Sequence, residues 1–304
     1  MNATTRSRLW AGWLAVVLST SLSSFWAFWG SIENFHEGWY FPSVLRNVGL
    51  KLVQYLPWML LPMAAAVLGL WRPVAGVVAH GVMAGAAIWL FGLRGVGGWL
   101  LGVPLLMLAM LWGYGRPAPV RWARWILVGL PVVTWFASGA YPAWVVFTRP
   151  STVDLSMRRI DGNRVALVWA PAGPGWAESG VSWFEARKRC GLLAADGRAL
   201  AGAAQAMWRT PTVDEAARTM RWRGTNAGGT WDSASRRAHY VRIPDKEAPL
   251  WNPHSPIIYW WTADETDANR AYRIAYNGQV VAMRKTARQG TLGFRCVKDA
   301  SQAS

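Results

Sequence analysis

The chain is short of the side chains that do most protein chemistry: its 304 residues include 16 Asp or Glu, four His and two Cys, against 32 Lys or Arg. It contains no Gly-x-Ser-x-Gly, phosphate-binding loop, dinucleotide fingerprint or His-Glu-x-x-His, so no catalytic machinery is identified by motif. No zinc-finger, helix-turn-helix or RNA-binding signature accompanies the net charge of +16, and we read no nucleic-acid partner from it. Many of the bases fall at the edges of apolar stretches. Their charge is read as topology plus attraction to anionic lipid or to a cell-surface polymer.

What the chain does have is apolar length. Residues 1–150 carry only two acids, Glu33 and Glu37, whereas residues 151–304 carry 14. Five segments, Leu9–Trp29, Leu52–Leu70, Val74–Phe91, Val96–Trp112 and Trp125–Phe147, are each long enough for a hydrocarbon core, which takes about 20 helical residues. The first ends in Phe25-Trp26-Ala27-Phe28-Trp29, an aromatic belt in place of a small-residue cleavage site, so it is expected to be retained as a span. Arg6, Arg8, Arg72, Arg116, Arg121 and Arg124 lie on one side of the alternating spans and Arg46, Lys51 and Arg94 on the other. That bias puts the N-terminus in the cytoplasm and everything after the fifth span outside it. Pro57, Pro62, Pro104 and Pro131 fall within spans, where neighbouring helices absorb the lost hydrogen bonds. No repeat relates the five spans and no run of intramembrane charge marks a transport path.

Both acids of this half sit in Ser31–Tyr40, and on a helix Glu33, His36 and Glu37 share a face at spacings of three and four. Such a face can bind a divalent metal or move a proton. Alternatively the three cap the helix, pair with Arg46 or Lys51, and hold an interfacial turn ending at Gly38. His80, inside the third span, is read either as functional or as bonded to a neighbouring helix, with Gln54 a possible partner. Gly76, Ala79, Gly81, Gly85 and Ala86 give that span a surface for close helix packing.

After a short linker at Arg149–Thr152 the pattern changes to strands and turns. Asp161-Gly162-Asn163 reads as a turn before a buried strand, Val165–Trp169, and Pro171–Gly180 as a loop. Gly228–Asp232 reads as another turn. Pro256–Thr262 is strand-like, with one of Trp260 and Trp261 expected to face outward, and Ala271–Tyr276 returns through an Asn277-Gly278 hairpin to Gln279–Met283. Two helix starts carry capping boxes: Ser182 with Glu185, and Thr212 with Glu215, which predicts a helix from Val213 through Met220.

Val181-Ser182-Trp183 opening the first of these helices, Trp208-Arg209-Thr210-Pro211-Thr212-Val213-Asp214-Glu215 opening the second, and the closing Gly293-Phe294-Arg295 occur in the order found in formylglycine-generating (sulfatase-modifying) enzymes. The exported half, Val153–Lys298, resembles that family, although Thr210 replaces its leucine and Ala216 its tryptophan. The resemblance implies a variant of the C-type lectin fold, in which a helix and the closing strand are commonly joined, here Cys190 to Cys296; two free thiols or a metal pair are the alternatives. As a disulfide, a loop of about a hundred residues is worth roughly 4–5 kcal/mol. The family's paired active-site cysteines, and the His-x-x-x-His-x-Glu iron motif of related enzymes, have no counterpart here. Neither do the calcium-dependent sugar-binding words of lectins, the nearest being Trp251-Asn252-Pro253 and Asp264-Glu265-Thr266-Asp267. The cofactor is left open between calcium and none, and Asp264, Glu265 and Asp267 are either oxygen ligands or a solvated loop balanced by Arg270.

The expected protein is bacterial-type: an α-helical transmembrane domain (1–150), an extracytoplasmic α+β lectin-like domain (151–298) and a flexible tail (299–304), held in the inner or plasma membrane. The exported domain is expected to bind a glycan, an anionic polymer or a partner protein through Trp251, Tyr259, Trp260, Trp261, Arg284, Lys285 and Arg288. The alternative is a metal-dependent oxidase or protein-modifying enzyme whose ligands have moved to Glu33, His36 and Glu37.

Overall fold

The computed structural model describes residues 2–92, 95–152, 154–176 and 180–300. Arg94, Val153, part of the 171–180 loop and the last four tail residues lie outside them. The chain forms two compact units, one of residues 1–39 and 43–146, the other of residues 40–42 and 147–304.

The first unit is helical. Helix α1 (Ala3–Glu33) runs into a π-helical turn, Asn34–Gly38. Then come α2 (Val44–Leu50), a second π-turn (Lys51–Tyr55), α3 (Pro57–Trp71), α4 (Pro73–Phe91), α5 (Val96–Tyr114) and α6 (Val120–Thr148). Four of these helices are long and apolar enough to cross a membrane. The expected second span is not one straight helix: the segments Val44–Tyr55 and Pro57–Trp71 meet at a 58° bend. Pro57 explains the break, because its ring displaces the preceding turn while its missing N–H costs nothing at a helix start. Pro62, Pro104 and Pro131 lie inside continuous helices, as does Pro142.

Helix packing here is made by small side chains. The buried face of α1 is Gly12, Ala15, Val16, Ser19, Thr20, Ser23, Ala27, Gly30 and Ser31, and Ser19 accepts the Trp112 indole N–H at 3.1 Å. A Cβ on Gly76 would stand 2.4 Å from the Cα of Gly69, so only glycine lets α3 and α4 approach this closely.

The second unit is β-rich. It contains β1 (Arg158–Asp161), β2 (Ala166–Trp169), α7 (Trp183–Gly191), α8 (Val213–Thr219), β3 (Arg221–Trp222), β4 (Thr225–Asn226), β5 (Thr230–Asp232) and β6 (Arg237–His239). It closes with β7 (Tyr259–Glu265), β8 (Arg270–Ala275), β9 (Val280–Arg284), β10 (Leu292–Gly293) and β11 (Val297–Asp299). The sheets have orders β1-β2-β11 and β10-β7-β8-β9, with two small hairpins, β3-β4 and β5-β6. The expected turn at Gly228–Asp232 is therefore in part strand, while Gly278 does turn the β8–β9 hairpin at φ +83°. The tail begins later than expected, since Asp299 belongs to β11 and accepts from Arg209 at 2.7 Å.

Two tryptophan-rich cores lie on opposite faces of β7: Trp260 joins Trp169, Trp251, Leu250 and Ile274, whereas Trp261 joins Trp183, Trp208, Phe294 and the cystine. The cystine is Cys190–Cys296, closing a sequence separation of 106.

Candidate functional site

Three side chains in the first unit converge. Helix α1 ends at Glu33, and the π-turn after it places His36 and Glu37 beside that carboxylate. His36 Nδ1 lies 3.7 Å from Glu33 Oε2 and 3.9 Å from Glu37 Oε1. One donor atom from each residue falls within 4.8 Å of the others, the one such grouping among the described residues. One imidazole nitrogen and two carboxylate oxygens on half-buried side chains form a donor set suited to a zinc- or iron-class cation, with positions left for water. Lys51 does not neutralise this face in the way expected; its ammonium lies 4.9 Å from the Phe35 ring centroid and 4.4 Å from that of Trp135. His80 is buried and its Nδ1–H donates to the Gly76 carbonyl of its own helix at 2.8 Å, not to Gln54.

In the second unit the expected aromatic platform is a core. Trp251, Trp260 and Trp261 are each at most 2% exposed, and Trp251 stacks on Trp260 with ring centroids 3.7 Å apart. Neither Trp260 nor Trp261 faces outward, because the sheet is covered on both faces. Trp261 also donates its indole N–H to the Val181 carbonyl at 2.8 Å. Tyr259 is half-buried, with the Arg273 guanidinium 3.8 Å from its ring centroid.

The expected cationic contacts divide. Lys285 is buried, with its ammonium bonded to Glu265 and to the Ala268 carbonyl. Arg288 is exposed and 3.4 Å from Glu185. Glu185 also pairs with Arg189, so the Ser182–Glu185 box is half made: the Ser182 hydroxyl accepts the Glu185 N–H, and the carboxylate is engaged elsewhere. Arg284 is exposed on the edge strand β9, and the register sets it directly opposite Arg270 on β8. That pairing is invisible until the strands are aligned.

The acidic residues of the 264–267 loop do not assemble as a cation site. The Val213 N–H donates to Asp264 at 2.5 Å, at the head of α8. Glu265 is held by Lys285 and Arg187, and Asp267 accepts the Asn269 and Arg270 N–H groups, which hold its carboxyl below the ordinary value.

The Thr212–Glu215 turn is a junction. Thr212 and Glu215 complete a reciprocal capping box, and Arg209 grips Glu215 with two bonds of 2.6 and 2.7 Å while also reaching Asp299. Burial opposes ionisation of Glu215, but the Arg209 bonds and the Thr212 N–H hold its carboxyl below the usual range. A cavity of about 470 Å³ opens here, lined by Arg159, Val165, Ala166, Leu167, Glu215, Asp299 and Ala300. Both of its carboxylates are paired with Arg209.

Residue-type reasoning missed a second buried cluster. Lys246 and Glu247 are buried; the Lys246 ammonium donates to the Ser255 carbonyl, and Glu247 accepts the Gly224 N–H at 2.6 Å. Arg149 stands 3.8 Å from Asp245. Burial, aided by the Arg149 cation, brings the Lys246 amine down to about 7, while burial raises the Asp245 and Glu247 carboxyls. The run Asp245-Lys246-Glu247 behind Pro244 was the available signal, although it reads more simply as a solvated turn.

Comparison with protein-family models, curated proteins and solved structures finds no match to this chain.

Proposed function

We propose that this chain is a membrane-anchored binding module. In this reading the apolar helices hold a formylglycine-generating-enzyme-like domain of lectin type outside the cytoplasm, where it binds an anionic polymer. The observation that carries the ligand class is the facing pair Arg270 and Arg284 on the sheet edge. Like charges placed directly opposite each other on a strand pair destabilise it, and a bridging anion offsets that cost. A charged edge also deters unwanted strand pairing, so binding itself is the deciding measurement.

The bias of Lys and Arg supports the orientation. The many large apolar side chains on the outside of the first unit, with small residues along the buried face of α1, support a bilayer around it. The disulfide suits an oxidising compartment. The two capped helices and the cystine joining α7 to the C-terminal part of the domain support the family likeness.

Detergent-purified full-length protein should bind a polysulfated dextran, more weakly as salt rises, and lose that binding on Arg270→Ala/Arg284→Ala. Equal retention of uncharged dextran, or binding that survives the double change, would count against the reading; capture of a protein partner alone would replace the polymer.

A second reading is favoured by the convergence of Glu33, His36 and Glu37: a divalent metal at the membrane face, serving an oxidase or protein-modifying enzyme. Stoichiometric zinc, iron or copper lost on Glu33→Gln/His36→Ala would establish that metal site. The same metal content in wild type and variant would remove it.

A further inference from the structure

The β3–β4 hairpin and the segment after β6 make a surface that the polymer site does not use. Val241 and Ile243 are 82% and 76% exposed, although the chain on either side of them is pinned. The Val241 and Arg242 N–H groups donate to the Ala227 carbonyl at 3.1 and 3.2 Å, Pro244 is buried, and the Asp245 N–H donates to Arg221 at 3.0 Å. Two aliphatic side chains are thus held in solvent by an anchored backbone. Between them stands Arg242, also exposed, its guanidinium 4.3 Å from the Trp222 ring centroid, with Arg223 5.3 Å from the same ring.

This surface is tied to the end of α6. Arg223 donates to the Thr148 hydroxyl at 3.3 Å, Arg149 pairs with Asp245 at 3.8 Å, and a Cβ on Gly224 would meet Pro150 at 4.0 Å. The last turns of α6 present Tyr141, Trp144 and Phe147 outward, the aromatic composition found where a spanning helix leaves the hydrocarbon. Beyond that level lies a polar headgroup layer roughly 5–8 Å deep on each side of the bilayer. On the membrane-anchored reading Thr148 and Arg149 follow the span directly, and Arg223 and Asp245 are bonded to them.

We propose that Val241, Arg242 and Ile243, backed by Trp222 and Arg223, dock on the anionic headgroup layer of the bilayer that α6 crosses. This rests on the membrane-anchored reading above. The chemistry is complementary: exposed aliphatic tips enter the acyl boundary, an indole suits the interface, and the guanidinium groups meet lipid phosphates. A polymer ligand is served by Arg270 and Arg284; the patch described here serves to fix the domain against its own membrane.

The test uses the full-length protein in nanodiscs of phosphatidylcholine, with or without phosphatidylglycerol, each containing lipid spin-labelled near the headgroup. An environment-sensitive fluorophore is placed on Ile243→Cys or, as control, on Ser233→Cys at the tip of the β5–β6 hairpin, with Cys190–Cys296 kept oxidised. The expected result is quenching at 243 and not at 233, stronger with phosphatidylglycerol. Arg223→Ala/Arg242→Ala should shift the docked-to-undocked ratio by about thirtyfold, two arginines at the usual worth of a basic residue near an anionic surface. Quenching at 243 no greater than at 233, or equal in both lipids and indifferent to the arginines, would overturn the proposal. Failure of the chain to enter nanodiscs would overturn the anchoring reading and this one with it, whereas incorporation without quenching overturns this one alone. Polysulfated-dextran binding, which reports on Arg270 and Arg284, should be unchanged in the Arg223/Arg242 variant.

Discussion

The two units are packed inside out with respect to each other. In the helical unit the buried face of α1 is glycine, alanine, serine, threonine and one valine, while Trp10, Phe25, Trp29 and, on α4, Trp89 stand outside. In the β-rich unit Trp169, Trp208, Trp251, Trp260 and Trp261 are inside and arginines cover the surface. In water the first arrangement would expose far more apolar surface than a monomer tolerates. Its stability has to come from close backbone approach and small polar bonds such as Ser31–Ser138 at 2.6 Å, whereas the second draws on burial of large side chains.

Breaking the second unit's staple should have the largest effect. Reduction of Cys190–Cys296, whose loop spans 106 residues, should destabilise the β-rich unit by about 4–5 kcal/mol in the chain-entropy model. Helix content of the first unit should persist, and circular dichroism in the far and near ultraviolet separates the two. Trp260→Ala should cost the same unit about 3–5 kcal/mol. Trp89→Ala, at a side chain 81% exposed, should change stability by less than about 0.5 kcal/mol in lipid. Parallel thermal melts of the two variants compare the units directly.

How much of this was legible in the sequence depended on whether the signal was local. The Thr212–Glu215 box and the Asn277-Gly278 hairpin are set within a few residues, and both formed as read. The grouping of Glu33, His36 and Glu37 follows from their spacing and survives the switch to a π-turn. The burial of both Trp260 and Trp261 was not legible, because strand alternation says that neighbours face opposite ways but not that both faces are covered. The cover comes from Trp169 and Trp183, remote in sequence, and from Trp251, which reaches Trp260 only through the fold of the loop between them. Lys285 reads as a surface base until Glu265, twenty residues away, is seen to hold it. The Arg270–Arg284 pair needed the register, and the broken second span needed Pro57 to act as a helix start rather than an absorbed kink.

Two smaller effects sharpen the contrast. Gly76→Leu should push α4 off Gly69 and destabilise the helical unit by about 1–3 kcal/mol, with no change in the disulfide-bonded unit; unfolding in mild detergent would register it. The buried Lys246 should give the β-rich unit a pH slope. Its amine is held near 7 in the folded state against an ordinary 10.5, so between those values the unfolded chain binds the extra proton. Stability should therefore rise with pH across that window, by at most about 1.4 kcal/mol per pH unit. Lys246→Met should flatten the slope in denaturant titrations at pH 7 to 10.

The most direct test of the account is the side of the membrane on which the β-rich unit lies. Protease added to bacterial spheroplasts expressing the full chain, after mild reduction to open the cystine, should cut within residues 151–300 and leave a protected helical fragment that ends near Arg149. Protection of the β-rich unit until the membrane is permeabilised would contradict the account, and with it both binding surfaces assigned to that unit.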